Sequence, residues 1–437
     1  MMQTAIRAGR LIDGTGATHA PATILIEDGR IVAAGNGVPF PAGASILDAS
    51  DWTVLPGLID AHVHVMGDGE PRGLGWNLRP LTELLGTTTL RAYASARRHL
   101  IMGVTAIRDL ACRGFVDVAL RDAIEAGLVE GPRMRVCGNG LTSTGGHMDR
   151  TKGLAPGVEV EGWSNIADTP DEARRAVREL IKRNVDFIKI NATLSEWVRD
   201  RGGLYAQEMT FDTMRAVCDI AHEAGRTVAA HCHGGNGVRD AILAGVDTLE
   251  HGRFISDELF ALAAERGVIL VPTLSPEARA MAAGREALGT LEALWRWQHR
   301  AHAAMYDAVA RAKRSGVRVA AGSDAAMPMV RHGGIAFEME HLARAGLTPM
   351  EVIQSATKTA AEALRMAGEI GTVEPGKLAD LVVVDGNPLD DLRLLQDPAR
   401  IVLVIKGGKI VVDRRGAFGA PARAEGAGLE TPVSRTT

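Results

Sequence analysis

The sequence predicts an α/β protein, a (β/α)8 TIM-like barrel with a small discontinuous β-sandwich domain built from both chain ends. Strands alternate with helices through the middle of the chain, and short strands separated by turns occur at both ends. A chain of 437 residues is also longer than a single hydrophobic core usually accommodates. The expected limits are 1–56 plus 376–417 for the sandwich, 57–375 for the barrel, and 418–437 for a flexible tail.

The two ends of the chain share a pattern of short apolar strands separated by tight turns. Asp13-Gly14 and Asp28-Gly29 follow such strands near the N-terminus, and Asp385-Gly386 and Gly407-Gly408 follow them near the C-terminus. Pieces of two or three strands are rarely stable alone, so we pair the two ends into one domain.

The middle of the chain repeats a strand-then-helix unit about eight times, which is the pattern of a closed parallel barrel. An open doubly wound sheet is the competing fold, but no G-x-G-x-x-G motif follows an early strand. After a first strand that ends near His62, we expect strands at 104–109, 133–137, 187–190, 227–231, 248–251, 268–272 and 318–321, and helices at 117–126, 170–183, 211–224, 238–244, 257–266 and 301–315.

Composition and charge narrow the binding partners and the cellular compartment that we expect for this protein. A net charge of −4 gives no reason to expect binding to nucleic acid. The sequence contains no apolar run of 18 residues, so no membrane span is predicted. The N-terminus lacks the apolar region of a signal peptide, and four scattered cysteines without a C-x-x-C pair favour a reducing compartment. We therefore expect a cytoplasmic enzyme acting on a small molecule.

Metal-ligating side chains occur at the predicted carboxyl ends of several barrel strands, where such barrels place their chemistry. His62 and His64 share one face of the first strand because residues two apart on a strand point the same way, and paired imidazoles suit zinc. Each residue alone has an ordinary explanation, a hydrogen-bonded histidine or a lysine in a salt bridge. The full set at strand ends is His62, His64, Lys189, His231, His251 and Asp324.

The charge of this set favours a site for two metal ions with bridging anions. Four neutral imidazoles bring no negative charge to offset two divalent cations. A carbamate, formed on Lys189 by carbon dioxide, supplies one bridging anion and hydroxide the other. Asp324 can then take a proton from the bridging water and deliver it to the leaving group.

These residues resemble the binuclear metal site of the amidohydrolase superfamily, and the similarity runs along almost the whole chain. It includes segment 56–60, at the start of the predicted barrel, and segments 356–357 and 371–381, at its end. The resemblance implies two divalent ions, zinc above all: one held by His62, His64 and Asp324, the other by His231 and His251, with carboxylated Lys189 between them.

Three segments resemble the prolidase-like branch, which includes Xaa-Pro and Xaa-Arg/Lys dipeptidases and ochratoxin-hydrolysing amidases: 144–147, 231–234 and 270–274. By that resemblance His147 polarises the scissile carbonyl or holds the substrate carboxylate, and His233 lines the pocket. Tyr205 follows the Lys189 strand, and from that position we expect it to touch the substrate carboxylate. His147 could instead cap a loop, and His233 could support the ligands. Met148-Asp149-Arg150 departs from the branch, where a small residue usually follows the histidine.

The resulting hypothesis is a hydrolase that cleaves the amide bond to a C-terminal amino acid, with a metal-bridging hydroxide and with Asp324 as general acid and base. Three alternatives remain: a related hydrolase of a carbamate, phenylurea, lactone or cyclic amide, an imidazolonepropionase-like or deaminase enzyme with one metal, and a non-enzymatic scaffold or metal store. The resemblance also implies a homo-oligomer. We expect Trp295, Trp297, His299 and His302 to serve packing or the surface of a helix.

Overall fold

The computed structural model describes residues 3–70, 82–160, 162–194, 206–288 and 292–417. Its strands are β1 (Gln3–Ile12), β2 (Thr18–His19), β3 (Ala22–Glu27), β4 (Arg30–Gly35), β5 (Ser45–Pro56), β6 (Leu58–Val63), β7 (Val104–Asp109), β8 (Arg133–Val136), β9 (Gly140–Thr142), β10 (Ser164–Ile166), β11 (Phe187–Asn191), β12 (Thr227–Gly234), β13 (Thr248–Phe254), β14 (Ile269–Val271), β15 (Leu381–Val384), β16 (Ile401–Lys406) and β17 (Lys409–Asp413).

The α-helices alternate with the strands through the middle of the chain, as the sequence predicts. They are α1 (Leu85–Ile101), α2 (Val116–Glu125), α3 (Pro170–Lys182), α4 (Phe211–Glu223), α5 (Asn236–Ala244), α6 (Asp257–Glu265), α7 (Ser275–Ala283), α8 (Arg285–Leu288), α9 (Glu292–Arg314), α10 (Ile335–Arg344), α11 (Pro349–Ser355) and α12 (Lys358–Ala363). Short 3₁₀ helices occupy Arg113–Phe115, Leu392–Gln396, Pro398–Arg400 and Arg415–Ala417.

Two sets of parallel strands and one extended segment close into a barrel. Strands β6, β7 and β8 pair in that order, and β9, β11, β12, β13 and β14 form the other set with β10 at its outer edge. The Asp186 amide donates to the Val136 carbonyl at 2.8 Å, which joins the two sets. Segment 318–321 completes the ring, because Ala320 donates to Leu270 at 2.9 Å and Ala61 donates to Ala321 at 3.0 Å.

The eighth strand differs from the sequence prediction. Only Val319 of the expected strand 318–321 is bridged to a neighbouring strand, by a parallel bridge to Leu270. The chain then passes through Gly322 to Asp324, whose φ of 54° is incompatible with a continuing strand. The segment therefore holds its place by a few backbone hydrogen bonds rather than by a regular ladder.

Both ends of the chain contribute to the remaining sheet. Its order is β17-β16-β15-β5-β1-β3-β4, with β2 on β1, so β5 joins strands from the N-terminal and C-terminal regions. Strand β5 runs parallel to β1 and antiparallel to β15. The predicted sandwich strands are thus hydrogen-bonded into one continuous sheet; the domain limits given above stay predictions.

Local sequence signals explain where two barrel helices begin. Thr169 and Thr348 each cap a helix: the threonine side chain accepts a hydrogen bond from the backbone amide of a glutamate three residues later. The side chain of that glutamate in turn accepts a hydrogen bond from the backbone amide of the threonine. A proline follows each cap at the first helical position, where its missing amide costs nothing. No helix in the described ranges is long and apolar enough to cross a membrane.

Candidate metal centre and active site

The structure brings His62, His251 and Asp324 together at the carboxyl ends of the barrel strands. One potential ligand atom from each of the three lies within 4.8 Å of the other two. Asp324 Oδ1 lies 3.5 Å from His62 Nε2 and 3.4 Å from His64 Nε2, so His64 reaches the same carboxylate. Four residues that the sequence singles out thus converge on one position.

The remaining predicted ligands surround this group. The His231 ring lies 4.7 Å from the His251 ring, measured between centroids, and 4.8 Å from the His233 ring. Lys189 is buried on β11, and within the described chain its ammonium makes no hydrogen bond or ion pair. The salt bridge that offered an ordinary explanation for Lys189 is therefore not formed.

Burial disfavours the charged forms of His62, His231, His251 and Lys189. It lowers the pKa of His62 to about 4 and lowers the pKa values of His231 and His251 well below the ordinary value. Burial also lowers the pKa of Lys189. Neutral imidazoles are the form that binds metal, and a neutral amine is the form that reacts with carbon dioxide.

These donors fit divalent metal ions. The Nδ1 atoms of His62, His64 and His251 lie 2.7, 3.4 and 2.8 Å from the oxygens of Glu250, Ala111 and Thr273, respectively. A protein oxygen behind Nδ1 orients each ring, as in metal sites of known proteins. The His231 Nε2 atom is buried with no hydrogen-bond partner in the described residues, which is costly unless something else binds it.

Backbone strain marks the same edge of the barrel. His251, Thr273 and Asp324 have φ values of 74°, 50° and 54°, a region that side chains other than glycine rarely adopt. His251 lies within β13, Thr273 follows β14, and Asp324 follows the neighbouring segment 318–321. Such conformations cost of order 1–3 kcal/mol each and cluster at functional sites.

His147 joins the site from the loop after β9. Its ring stacks on the His231 ring, with centroids 4.0 Å apart and planes inclined by 11°. Its backbone amide donates to Glu208 Oε2 at 2.8 Å, while its buried Nδ1 atom has no partner among the described residues. A role in capping the loop therefore accounts for the hydrogen bond of the His147 backbone amide, but it does not account for the buried position of the His147 ring.

The residues that follow His147 hold this loop in place. Asp149 Oδ2 accepts a hydrogen bond from the Gly145 amide at 2.8 Å, which ties the loop together. The Arg150 guanidinium lies 4.9 Å from the Trp163 ring centroid, and that ring lies 6.0 Å from the His64 ring. Met148 is buried. These side chains stabilise the loop and bring an aromatic ring beside a candidate metal ligand.

Comparisons with known proteins agree with this arrangement. A model described as the amidohydrolase family matches residues 53–411. The chain belongs to the amidohydrolase family. The ochratoxinase of Aspergillus niger is 31% identical over an alignment of 429 positions, which covers 93% of this chain and 86% of that protein.

Solved structures support the same branch of the family. A Xaa-Pro dipeptidase with methionine bound in its active site matches with a TM-score of 0.84 and 32% identity, over 93% of this chain and 99% of that chain. A prolidase complexed with N-methylphosphonate-L-proline matches with a TM-score of 0.84 and 29% identity, over 94% of this chain and all (100%) of that chain. The predicted family and branch are confirmed, and this amidohydrolase is a hydrolase that acts on C–N bonds.

A buried ion pair beneath His62 was not predicted from the sequence of this amidohydrolase. Glu250 Oε2 accepts from His62 Nδ1 at 2.7 Å, and Glu250 Oε1 accepts from Arg108 Nη2 at 2.7 Å. Burial opposes ionisation of Glu250, but Arg108 and His62 outweigh it and lower the pKa of Glu250 to about 2. An arginine inside the apolar strand 104–109 is the sequence signal, because such a cation needs a buried partner.

Replacing Glu250 with glutamine should weaken both the fold and the metal site. The substitution leaves the Arg108 charge buried without its anion, so we expect the free energy of unfolding to fall by about 3 kcal/mol. It also removes the anion that orients His62, so metal affinity should fall about 10–100-fold. Urea unfolding and metal titration monitored by mass spectrometry measure the two effects.

Acidification provides the control for the stability effect. The pKa of folded Glu250 is about 2, below its ordinary value of 4.5, so the pair stabilises the fold above that ordinary value. The contribution is lost as the pH falls toward the folded pKa. The stability difference between metal-free wild type and Glu250→Gln should therefore shrink on acidification; a difference independent of pH would contradict the assigned ion pair.

The structure places Trp297, one of the residues expected to serve packing or the surface, against a predicted site residue. Its ring lies 5.7 Å from the His233 ring, and its Nε1 atom is buried without a partner in the described part of the chain. Both ring nitrogens of His233 are likewise buried and unpartnered there. Trp295 packs against His299 and His302 against Tyr306 along α9, as expected. Tyr205, predicted to touch the substrate, lies outside the described residues.

Proposed function

We propose that this amidohydrolase uses two divalent metal ions, zinc above all, to cleave the amide bond to a C-terminal amino acid. Dipeptides, N-acyl amino acids and ochratoxin-like amides are the substrate class. The observation that carries the proposal is a wall of buried nitrogens that have no partner among the described residues, beside the cluster of His62, His251 and Asp324. The wall consists of His147 Nδ1, both ring nitrogens of His233, and Trp297 Nε1.

We assign the metal ligands as the family resemblance does. His62, His64 and Asp324 would hold one ion, His231 and His251 the other, and carboxylated Lys189 would contribute negative charge to both. When bound, divalent ions at such a site polarise a carbonyl group and lower the pKa of water.

The protein's own groups then bind the substrate and move protons. Asp324 accepts a proton from water at its carboxylate and delivers it to the leaving amine. The ring of His147 donates to the scissile carbonyl oxygen or to the substrate carboxylate. Trp297 Nε1 can only donate, and a neutral His233 offers one donor, so the wall suits a carboxylate, which only accepts.

A substrate panel tests this function. Amine release is measured with zinc-loaded protein in bicarbonate, using dipeptides that end in Pro, Met, Phe or Arg, N-acetyl amino acids, and the same compounds with an amidated C-terminus. We expect cleavage of the free acids and little cleavage of their amides. Equal rates on both would contradict carboxylate recognition, and turnover confined to carbamates, phenylureas, lactones or cyclic amides would favour the alternative hydrolase.

Replacing Trp297 with phenylalanine should raise KM about tenfold and change kcat little. Phenylalanine keeps an aromatic ring but lacks the N–H, and one hydrogen bond to a charged group is worth about 1.5–3 kcal/mol. Steady-state kinetics on the best dipeptide measure both constants. Trp295→Phe on the same helix is the matched control, because that ring packs on His299; equal effects of the two variants would refute the assignment.

A further inference from the structure

A second cavity lies at the opposite end of the barrel from the candidate metal centre. It has a volume of about 200 Å³ and is lined in part by Phe187 and Thr227. These are the first residues of β11 and β12, whereas His231 lies four residues further along β12 and His62 is the fifth of the six residues of β6. The segment 363–365, where α12 ends, forms another wall of this cavity. We call it the floor cavity.

Arginine dominates the charge of the floor cavity. Four guanidinium groups line it, against one carboxylate, that of Asp186. Asp186 already accepts hydrogen bonds from Arg135 Nη1 at 3.0 Å and from Arg121 Nη1 at 2.9 Å. The four lining arginines are Arg108, Arg135, Arg226 and Arg365.

Two of these arginines have no counter-ion in the described chain. Arg226 and Arg365 form neither an ion pair nor a side-chain hydrogen bond with any described residue, and Arg226 Nε is buried without a partner. Arg135 Nε is also buried and unpartnered, although its Nη1 binds Asp186. Buried donors of this kind are costly unless an acceptor binds them. Among the described residues, the fold therefore leaves the buried Nε–H groups of Arg135 and Arg226 without acceptors at this cavity, beside the exposed Arg365.

We propose that the floor cavity binds a small oxyanion of the phosphate class. Guanidinium groups present planar pairs of N–H donors that match the oxygens of such an anion, and charge-assisted hydrogen bonds are about twice as strong as neutral ones. Arg226 supplies a charge with a buried, unpartnered Nε–H, the exposed Arg365 adds a second guanidinium without a described partner, and Arg135 adds a donor beside Asp186. Arg108 links the cavity wall to Glu250 and thereby to His62.

Inorganic phosphate is the probe for this site. Isothermal titration of the metal-loaded protein, at constant ionic strength and without other polyvalent anions, should give one saturable site in wild type. The double variant Arg226→Gln/Arg365→Gln should raise Kd roughly tenfold or more, because two charge-assisted donors are lost. Phosphate should also raise the unfolding temperature of wild type more than that of the double variant.

The exposed Arg97 on α1 provides the control, because Arg97 does not line the floor cavity and Arg97→Gln removes a positive charge from the surface. Its Kd should equal that of wild type. Unchanged binding in the double variant would place phosphate elsewhere, for instance at the candidate metal centre, and would overturn the proposal. Equal weakening of phosphate binding in all variants would also overturn the proposal, as would the absence of saturable binding at millimolar phosphate. Circular dichroism verifies that the double variant is folded.

Discussion

Replacing Lys189 with alanine is expected to lower kcat on the best substrate by on the order of 10²–10³-fold, the usual cost of removing a charged group that stabilises a transition state. Lys189 is buried, forms no ion pair with the described residues, and has a pKa lowered by burial. A structural lysine in that position would need a carboxylate partner. A carbamate on Nζ, as proposed here, would explain both the burial and the missing partner, since it would replace a cation with an anion able to bind metal.

Chemical rescue separates the carbamate from a general effect on folding. Alanine leaves space in which a small carboxylate such as formate or acetate can replace the carbamate, so added carboxylate should restore part of the activity and of the metal content. Lys189→Met is the matched control: its side chain fills the same space without an amine, so it should lose equal activity and show no rescue. Wild-type turnover of Lys189→Ala without added carboxylate would refute the carbamate.

The order of strands and the residues at their ends could be predicted because they depend on local patterns. Alternating apolar strands and capped helices repeat at a regular interval, and parallel strands in a barrel must end at the same edge. His62, His231, His251 and Asp324 therefore had to lie near one another once the barrel was predicted. The rings of His231 and His251, 20 residues apart in sequence, lie 4.7 Å apart in the structure.

The features that the sequence did not reveal depend on contacts between distant residues. Glu250 and Arg108 are separated by 142 residues, and no local pattern shows that one side chain compensates the other. Helix α9 begins at Glu292, nine residues before the expected start at 301, and the face that it presents to His233 is fixed by packing. Trp297 is therefore recognisable only in the folded chain.

Replacing Asp324 with asparagine is expected to lower kcat by about 10²–10⁴-fold, the typical contribution of a general acid or base. Asparagine keeps the shape of the side chain but its amide does not accept the proton. Asp324 lies at a φ of 54°, and asparagine is among the few residues that tolerate this conformation. Measurement of kcat together with metal content by mass spectrometry distinguishes lost proton transfer from lost metal.

The two possible roles of Asp324 predict different results. A carboxylate that only holds metal would, when replaced, lower metal content and activity together, and excess zinc would restore both. A carboxylate that also moves the proton leaves a metal-loaded variant whose kcat stays low and whose pH profile has lost its acid limb. The oxygens of Asp324 face His62, His64 and His251 at 3.5, 3.4 and 4.0 Å. An unchanged kcat at full metal content would exclude the proton-transfer role and would require another base within the same group of residues.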